Sequence, residues 1–111
     1  MLGAALFATM KAQYERTIDT LGIPMVWTHT KTSATANLVG GMRIATDEDT
    51  ALVQSYGVGA RIITLKAAGL TGAPEKFDRF AVLNEVYIAE SVAPVHLNGT
   101  LLGYRVYIKG K

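Results

Sequence analysis

The last third of the chain, residues 75–109, constrains the fold most, because strand-length runs of β-branched and aromatic residues alternate there with turn residues. The runs predict a strand from Arg79 to Leu83, a tight turn at Asn84-Glu85 and a second strand from Val86 to Val92. A loop from Pro94 to Gly99, with its turn at Asn98-Gly99, then leads into a last alternating strand that ends near Lys109. Three consecutive strands predict an antiparallel meander. We expect four alternating positions of these strands to be buried: Phe80, Val82, Val106 and Ile108.

The size and composition predict a single domain over residues 1–111, made of an N-terminal helical part (1–22) and a β-domain (25–109). Half of the residues are hydrophobic and only 18% are charged, which favours an oligomer or a docked complex over a monomer with a well-filled core. The net charge of +2, with no run of Lys or Arg, does not by itself indicate nucleic-acid binding. The lack of cysteine excludes disulfides, thiolate metal sites and thiol catalysis.

The N-terminal segment predicts an amphipathic helix from residue 2 to about 21. Gly22 is expected to take the left-handed position after the helix, and Pro24 cannot continue it. The helix either docks on a neighbouring subunit or covers its own sheet. Its first residues lack the basic start of a signal peptide and are too few to span a bilayer, so we expect a cytosolic product without a membrane partner. The apolar face consists of Leu6, Phe7, Met10, Tyr14, Ile18 and Leu21.

The middle of the chain adds three predicted strands: Met25–Thr30, Ala34–Thr46 and Val58–Lys66. Gly40-Gly41 interrupts the second strand, as a bulge or a sharp bend does. Asp47–Tyr56 is compatible with one or two turns of helix, but a mobile loop is the favoured interpretation. The predicted fold is therefore mainly β with one N-terminal α-helix and about six strands, as a small antiparallel β-sandwich or a partly open barrel.

Two groups of residues are candidates for metal or catalytic chemistry. The acids Asp47, Glu48 and Asp49 could bind a divalent cation, but the ligand spacing of a calcium loop is missing and a solvated acidic turn is favoured. His29 and His96 stand without the partners that a zinc site or a nucleophile would require, so structural roles are favoured for both. We therefore predict no catalytic residue, no metal site and no cofactor.

The basic residues occur singly along the strands. They could line one side of a ring and meet DNA phosphates, or they could belong to ordinary solvent-exposed faces. The four that we consider as DNA-facing are Arg61, Lys66, Arg79 and Arg105.

The order of these features resembles the small head–tail joining proteins of tailed bacteriophages, which include the head-closure or stopper proteins of the neck. A helix ending in TLGIPMVWTHT is followed by a glycine-broken strand (NLVGGMRI), a strand entered by YGVGARIITLKAAGL, and a closing block that begins at Pro74. In that block the family carries a proline, an aspartate, an aromatic or aliphatic strand, a tyrosine-containing strand and a last aliphatic strand. The matching positions are Pro74, Asp78, Phe80, Val82, Tyr87, Gly99, Tyr104 and Val106.

The resemblance implies a structural virion protein rather than an enzyme. It implies a six- or twelve-fold ring below the portal or adaptor protein that closes the head after DNA packaging, with genomic DNA in its channel. The ring would dock the tail terminator or tail tube, after assembly in the host cytoplasm. Two alternatives stay open: a tail terminator or other tail-completion ring, and a small β-barrel that binds single-stranded nucleic acid.

A stopper also requires a segment that reaches the ring axis. The candidates are residues 34–41 and 47–57, and the second is favoured because acids precede glycine-bounded polar residues there. The possible channel loop therefore contains Asp47, Glu48, Asp49 and Gln54. An ordinary surface loop is the alternative.

Overall fold

The computed structural model describes residues 2–45, 50–57, 59–68, 70 and 72–109. Over these described residues the protein is mainly β with a long N-terminal helix, and seven antiparallel strands form one curled sheet, a half-barrel. This confirms the predicted fold class and selects the partly open barrel. Within the described residues, neither helix has the length and apolar character needed to cross a membrane. The elements are α1 (Leu2–Leu21), β1 (Ile23–Thr28), β2 (Thr35–Ile44), α2 (Thr50–Tyr56), β3 (Arg61–Lys66), β4 (Arg79–Val82), β5 (Glu85–Ile88), β6 (Ser91–Leu97) and β7 (Thr100–Ile108).

The sheet has the strand order β5-β4-β1-β2-β3-β7-β6, and β2 connects its two halves. The first part of β2, up to Gly40, pairs with β1, whereas the part from Gly41 onward pairs with β3. The predicted interruption is therefore a change of partner within one continuous strand. Packing explains why position 40 is a glycine, because a Cβ there would lie 2.8 Å from Leu65 Cδ2 and 3.0 Å from Met25 Cε. The small residue lets the two halves close over the core.

The core lies on the inner face of the half-barrel and draws on both halves of the sheet. Trp27 of β1 lies opposite Phe80 of β4 in the strand register, and their rings stack with 6.4 Å between centroids. Ile63 and Leu65 of β3 complete the centre of the core. The prediction for the meander is confirmed, because all four of its alternating positions are buried: Phe80, Val82, Val106 and Ile108.

Truncating Ile108 to Ala is expected to lower the free energy of unfolding by about 2–4 kcal/mol, because the cavity adds to the lost transfer free energy. Ile108 is 5% exposed, whereas Ile88, the matched control, is 49% exposed. For Ile88→Ala we expect a change within about 0.5 kcal/mol. Urea titration of both variants measures the difference. Equal losses would mean that Ile108 is not a core residue.

The closing meander differs from its prediction at its turns. The first turn is at Leu83-Asn84, both with positive φ, and not at Asn84-Glu85. The predicted strand from Val86 to Val92 is two strands, β5 and β6, separated by Ala89 and Glu90. The Ala89 amide bonds the carbonyl of Asp78 before β4, whereas the Glu90 amide bonds the carbonyl of Tyr107 on β7. Pro94–Leu97 was wrongly predicted as loop and belongs to β6, an edge strand, where a missing N–H is tolerated. The turn at Asn98-Gly99 is confirmed.

The earlier elements are present with strand boundaries shifted by up to three residues. Helix α1 ends at Leu21 as predicted, but Gly22 does not have a positive φ. The glycine is required for space, since a Cβ would lie 2.3 Å from the carbonyl oxygen of Ile18. The mobile loop favoured for Asp47–Tyr56 is wrong over Thr50–Tyr56, which forms α2.

Candidate functional site

Asp78 attaches the loop before β4 to the end of β1. Its side chain is 1% exposed, and its Oδ2 accepts hydrogen bonds from Trp27 Nε1 and from the Glu75 backbone amide, both at 2.9 Å. Its Oδ1 accepts a hydrogen bond from the backbone amide of Thr30 at 3.1 Å. The carboxylate therefore joins the end of β1 to the loop in which the closing block begins.

His29 extends this network to the surface. Its Nδ1 lies 3.2 Å from Asp78 Oδ1, and its ring stacks on Trp27 with 5.6 Å between centroids. Its Nε2 lies 3.7 Å from Glu75 Oε1, and Glu75 Oε2 pairs with Lys31 Nζ at 3.0 Å. His29 thus lies between a buried and a half-exposed carboxylate, a packed position that is consistent with a structural histidine.

The pKa of Asp78 follows from opposing causes. Burial raises the pKa of this carboxyl. The hydrogen bonds from the Glu75 and Thr30 amides and the Trp27 indole, together with the charge of His29, lower the pKa more, and it stays below its ordinary value. Asp78 is therefore a charged anchor at neutral pH.

The residue before Asp78 has an unusual backbone. Phe77 has a φ of 74°, although bulky side chains rarely adopt positive φ, and its ring is exposed with Lys76 Nζ 5.0 Å from the ring centroid. Its amide donates to the Ala89 carbonyl, and its own carbonyl accepts from Thr30 Oγ1. The Asp78 network thus holds an aromatic side chain toward solvent.

The four basic residues considered as DNA-facing do not share one surface. Arg61 and Lys66 are both on β3, and their odd separation puts them on opposite faces of the strand. Arg61 lies over the Tyr87 ring, with Cζ 5.1 Å from the centroid, on the inner side of the half-barrel. Arg79 is exposed at the start of β4. Arg105 is exposed on β7, on the outer face.

Lys66, the remaining member of that set, forms an ion pair with Asp19 of α1, with Nζ 2.5 Å from Oδ1. This contact joins the helix to the end of β3.

Of the proposed channel residues, Asp47, Glu48 and Asp49 lie outside the described residues. Gln54 is exposed on α2. That helix contacts the outer face of the sheet through its last residue, Tyr56, whose ring stacks on Tyr107 with 5.4 Å between centroids. The Tyr56 hydroxyl also hydrogen-bonds Ser91 Oγ at 2.6 Å. Gln54 therefore lies on a short helix attached to the sheet at its C-terminal end.

Helix α1 covers only part of the outer face of β2 and β3. Ile18 is buried, and the Tyr14 hydroxyl donates to the Leu65 carbonyl at 3.0 Å, but Met10 and Leu21 stay exposed. The helix therefore covers its own sheet, one of the two predicted roles, while Met10 and Leu21 remain exposed. Docking on a neighbouring subunit stays a prediction. The side chains of Leu6 and Phe7 lie outside the described residues.

A groove of about 650 Å³ runs along the uncovered side of α1. Its apolar lining includes Met10, Leu21 and Ile62. Next to it, a smaller polar depression of about 170 Å³ is lined by Arg43 and Arg105, and Ile62 lines both. The pKa of Tyr14 is raised by burial, while the charge of Arg105 lowers it to a smaller extent. Apolar and cationic surfaces are thus adjacent on the outer face.

The β4–β5 hairpin presents apolar side chains to solvent at the other half of the sheet. Leu83 at its tip is 72% exposed, and Val86 is 62% exposed. Val86 lies beside Ala81 and Val26 in the strand register, so an apolar row crosses the outer face. β5 is also an edge of the sheet. Neither this hairpin nor Arg43 is among the functional residues predicted from the sequence.

The described residues contain no group of three or more His, Cys, Asp or Glu side chains arranged to hold a metal ion. His96, the second histidine, is exposed on β6 next to a register shift between Val95 and His96.

In the comparisons with known proteins, no family model and no curated protein matches the sequence. The functional interpretation therefore depends on the residues themselves.

Proposed function

We propose that this chain is a structural, non-enzymatic virion protein of the bacteriophage neck: a connector that closes the head after DNA packaging and docks the tail. Its partners are further copies of itself in a six- or twelve-fold ring, the portal or adaptor protein, the tail terminator or tail tube, and the genomic DNA in the channel. It assembles in the host cytoplasm and functions in the virion.

The observation that supports this proposal most is the amount of apolar surface that the single chain leaves uncovered. Three separate places carry it: the uncovered side of α1 with Leu21, the β4–β5 hairpin with Leu83, and the loop tip with Phe77. Patches of this kind are typical of interaction surfaces, and several on one small domain suit a subunit with several neighbours.

The buried Asp78 network gives a physical reason for part of the family resemblance. Pro74 and Asp78, the first two matching positions of the closing block, are both buried. Asp78 fixes the loop from which Phe77 projects. A fixed loop that presents an exposed aromatic ring suits a connector, and Phe77 is a candidate anchor for a neck partner.

Disruption of the gene tests the function directly. We expect filled heads that lose their DNA and do not attach tails, with both defects restored by the wild-type chain. Electron microscopy of complemented virions should then show six or twelve copies in a ring at the neck. Retained DNA together with normal tail attachment would overturn the proposal.

Binding of the purified chain separates the neck connector from the tail terminator. Capture by portal–adaptor complexes favours head closure, whereas capture only by tail tubes favours the terminator. Salt-sensitive binding of single-stranded DNA, without capture by either assembly, would instead favour the nucleic-acid-binding alternative.

Deleting Thr50–Ser55 tests whether the segment with α2 closes the channel. The sheet should still fold, because the segment joins adjacent strands and the Ala45 amide already bonds the Ala60 carbonyl at 2.7 Å. We expect particles that package DNA but leak it before tails attach. A variant with Gly/Ser residues replacing 50–55 keeps the length and serves as control. Normal DNA retention by the deletion would exclude this segment as the gate.

A further inference from the structure

Leu83 is unfavourable in the isolated chain for two independent reasons. Its φ of 51° lies in the left-handed region, which favours Gly, Asn and Asp, and it occupies the first position of a two-residue hairpin turn. Its apolar side chain is also 72% exposed. A strained backbone that presents an exposed leucine is typical of a contact residue, because a partner can bury the side chain.

The groove beside α1 has the size and lining to receive such a tip. Its volume of about 650 Å³ lies within the range of pockets that enclose a small molecule, and Met10, Leu21 and Ile62 give it apolar walls. Leu21 is 76% exposed although it lines the groove, so the groove is open to a partner.

The charges beside the tip and beside the groove are complementary. Glu85 lies two residues after Leu83, at the start of β5. Its side chain is exposed, and its Oε2 accepts a hydrogen bond from the Tyr87 hydroxyl at 2.6 Å. Arg43 and Arg105 line the polar depression that continues the groove. An apolar tip with a neighbouring carboxylate thus matches an apolar groove with the Arg105 guanidinium group beside it.

We propose that the β4–β5 hairpin of one copy occupies the α1 groove of a second copy, with Leu83 among the apolar walls and Glu85 toward Arg105. The inference rests on the proposed ring-forming function and specifies its subunit contact. In this contact each copy gives its hairpin to one neighbour and receives the hairpin of another neighbour in its groove, which makes the contact head-to-tail. Such a contact closes into a ring when the rotation between neighbouring copies divides a full turn.

The same chemistry argues against DNA as the occupant of this groove. A phosphate backbone could reach the two arginines, but it would leave the apolar walls of the groove unpaired.

Paired cysteines test the contact, because the chain contains no cysteine of its own. Leu83→Cys together with Leu21→Cys should give a ladder of covalent multimers under mild oxidation. The matched control is Asn98→Cys with Leu21→Cys, since Asn98 is also exposed and has a φ of 51° at the tip of the other hairpin. We expect about tenfold more multimer from the first pair. A hairpin bound in the groove holds its thiol close to the thiol of the neighbouring copy, which raises the local thiol concentration. Equal or absent ladders would overturn the proposed contact.

A charge exchange tests the occupant. Glu85→Arg and Arg105→Glu should each weaken ring assembly on the portal–adaptor complex by about tenfold, and the double variant should restore it. An equimolar mixture of the two single variants should also assemble, because each altered hairpin can meet an altered groove. Loss of DNA retention by Arg105→Glu that Glu85→Arg does not rescue would instead assign Arg105 to DNA and overturn the pairing.

Different results would contradict the neck function and the contact between hairpin and groove. If necks contain the ring but Leu83 and Leu21 do not cross-link, the function stands and this contact is wrong. If the cross-links form but gene disruption leaves DNA retention and tail attachment normal, the self-association stands and the neck function is wrong.

Discussion

Replacing Asp78 by Asn is expected to lower the free energy of unfolding by about 3–5 kcal/mol, the largest effect that we expect from a change of nearly equal volume. The carboxylate accepts hydrogen bonds from Trp27 Nε1 and from the backbone amides of Thr30 and Glu75. An amide has one acceptor oxygen, so its NH₂ group must face N–H donors on one side. Since a domain is stable by about 5–15 kcal/mol, the loss is a large part of the total.

Urea titration at neutral pH measures this loss, and Glu75→Gln provides the control in the same cluster. Glu75 is half-exposed and pairs through its side chain with Lys31, so the control should change stability by no more than about 1 kcal/mol. Its backbone amide, which bonds Asp78, is kept. Similar stabilities for the two variants would show that the Asp78 carboxylate is not an anchor.

The Asp78 anchor also predicts that the free energy of unfolding depends on pH in the acidic range. The pKa of Asp78 is lower in the folded chain than in the unfolded chain. Its contribution to the free energy of unfolding is therefore fully present above the pKa of the unfolded chain, about 3.9. It is lost as the pH falls through the lower, folded value. Wild-type stability should therefore decrease over this acidic range, and Asp78→Asn should show a smaller decrease. Parallel pH profiles would contradict the lowered pKa.

The sheet could be predicted from the sequence because burial on one face leaves a period of two in the residues. Val106 and Ile108 show that period and are buried as expected. The Asp78 network could not be predicted, since Trp27 and Asp78 are 51 residues apart and come together only when β4 pairs with β1. A polar residue before a strand has no local pattern that separates an anchor from a solvent-exposed side chain.

The turn at Leu83-Asn84 was predicted one residue too late for a specific reason. Moving the turn by one residue changes the cross-strand partner of Ala81 from Val86 to Ile88, and both of these side chains point to the same face. The apolar alternation is therefore identical in the two registers. Asn84 is acceptable in either turn, and only the backbone shows that Leu83 takes the left-handed conformation.

The basic residues show where sequence reasoning could have gone further. Arg61 and Lys66 are five positions apart on one strand, an odd separation that directs them to opposite faces. Their division between the two faces therefore followed from the sequence alone. The position of Arg105 beside Arg43 did not, because it depends on β2 and β7 both flanking β3.

Replacing Gly103 by Ala is expected to lower the free energy of unfolding by about 3 kcal/mol or more, because β7, β3 and α1 meet without room for a methyl group. A Cβ at Gly103 would lie 1.8 Å from the Leu65 carbonyl oxygen and 2.6 Å from the Tyr14 hydroxyl oxygen. Either β7 separates from β3, or α1 loses the hydrogen bond from Tyr14 to Leu65.

Gly41→Ala is the matched control for this close approach, since Gly41 lies on β2, which also flanks β3, and a Cβ there would come no closer than 3.9 Å to Thr64 Cβ. Urea titration should therefore show a large loss for Gly103→Ala and a small change for Gly41→Ala. Limited proteolysis distinguishes the two ways in which Gly103→Ala can relax. Faster cleavage within α1, with the sheet still protected, would mean that the helix detaches, whereas uniform cleavage would mean that the β3–β7 pairing opens. Equal stability of the two variants would show that α1 does not pack against Gly103 as described.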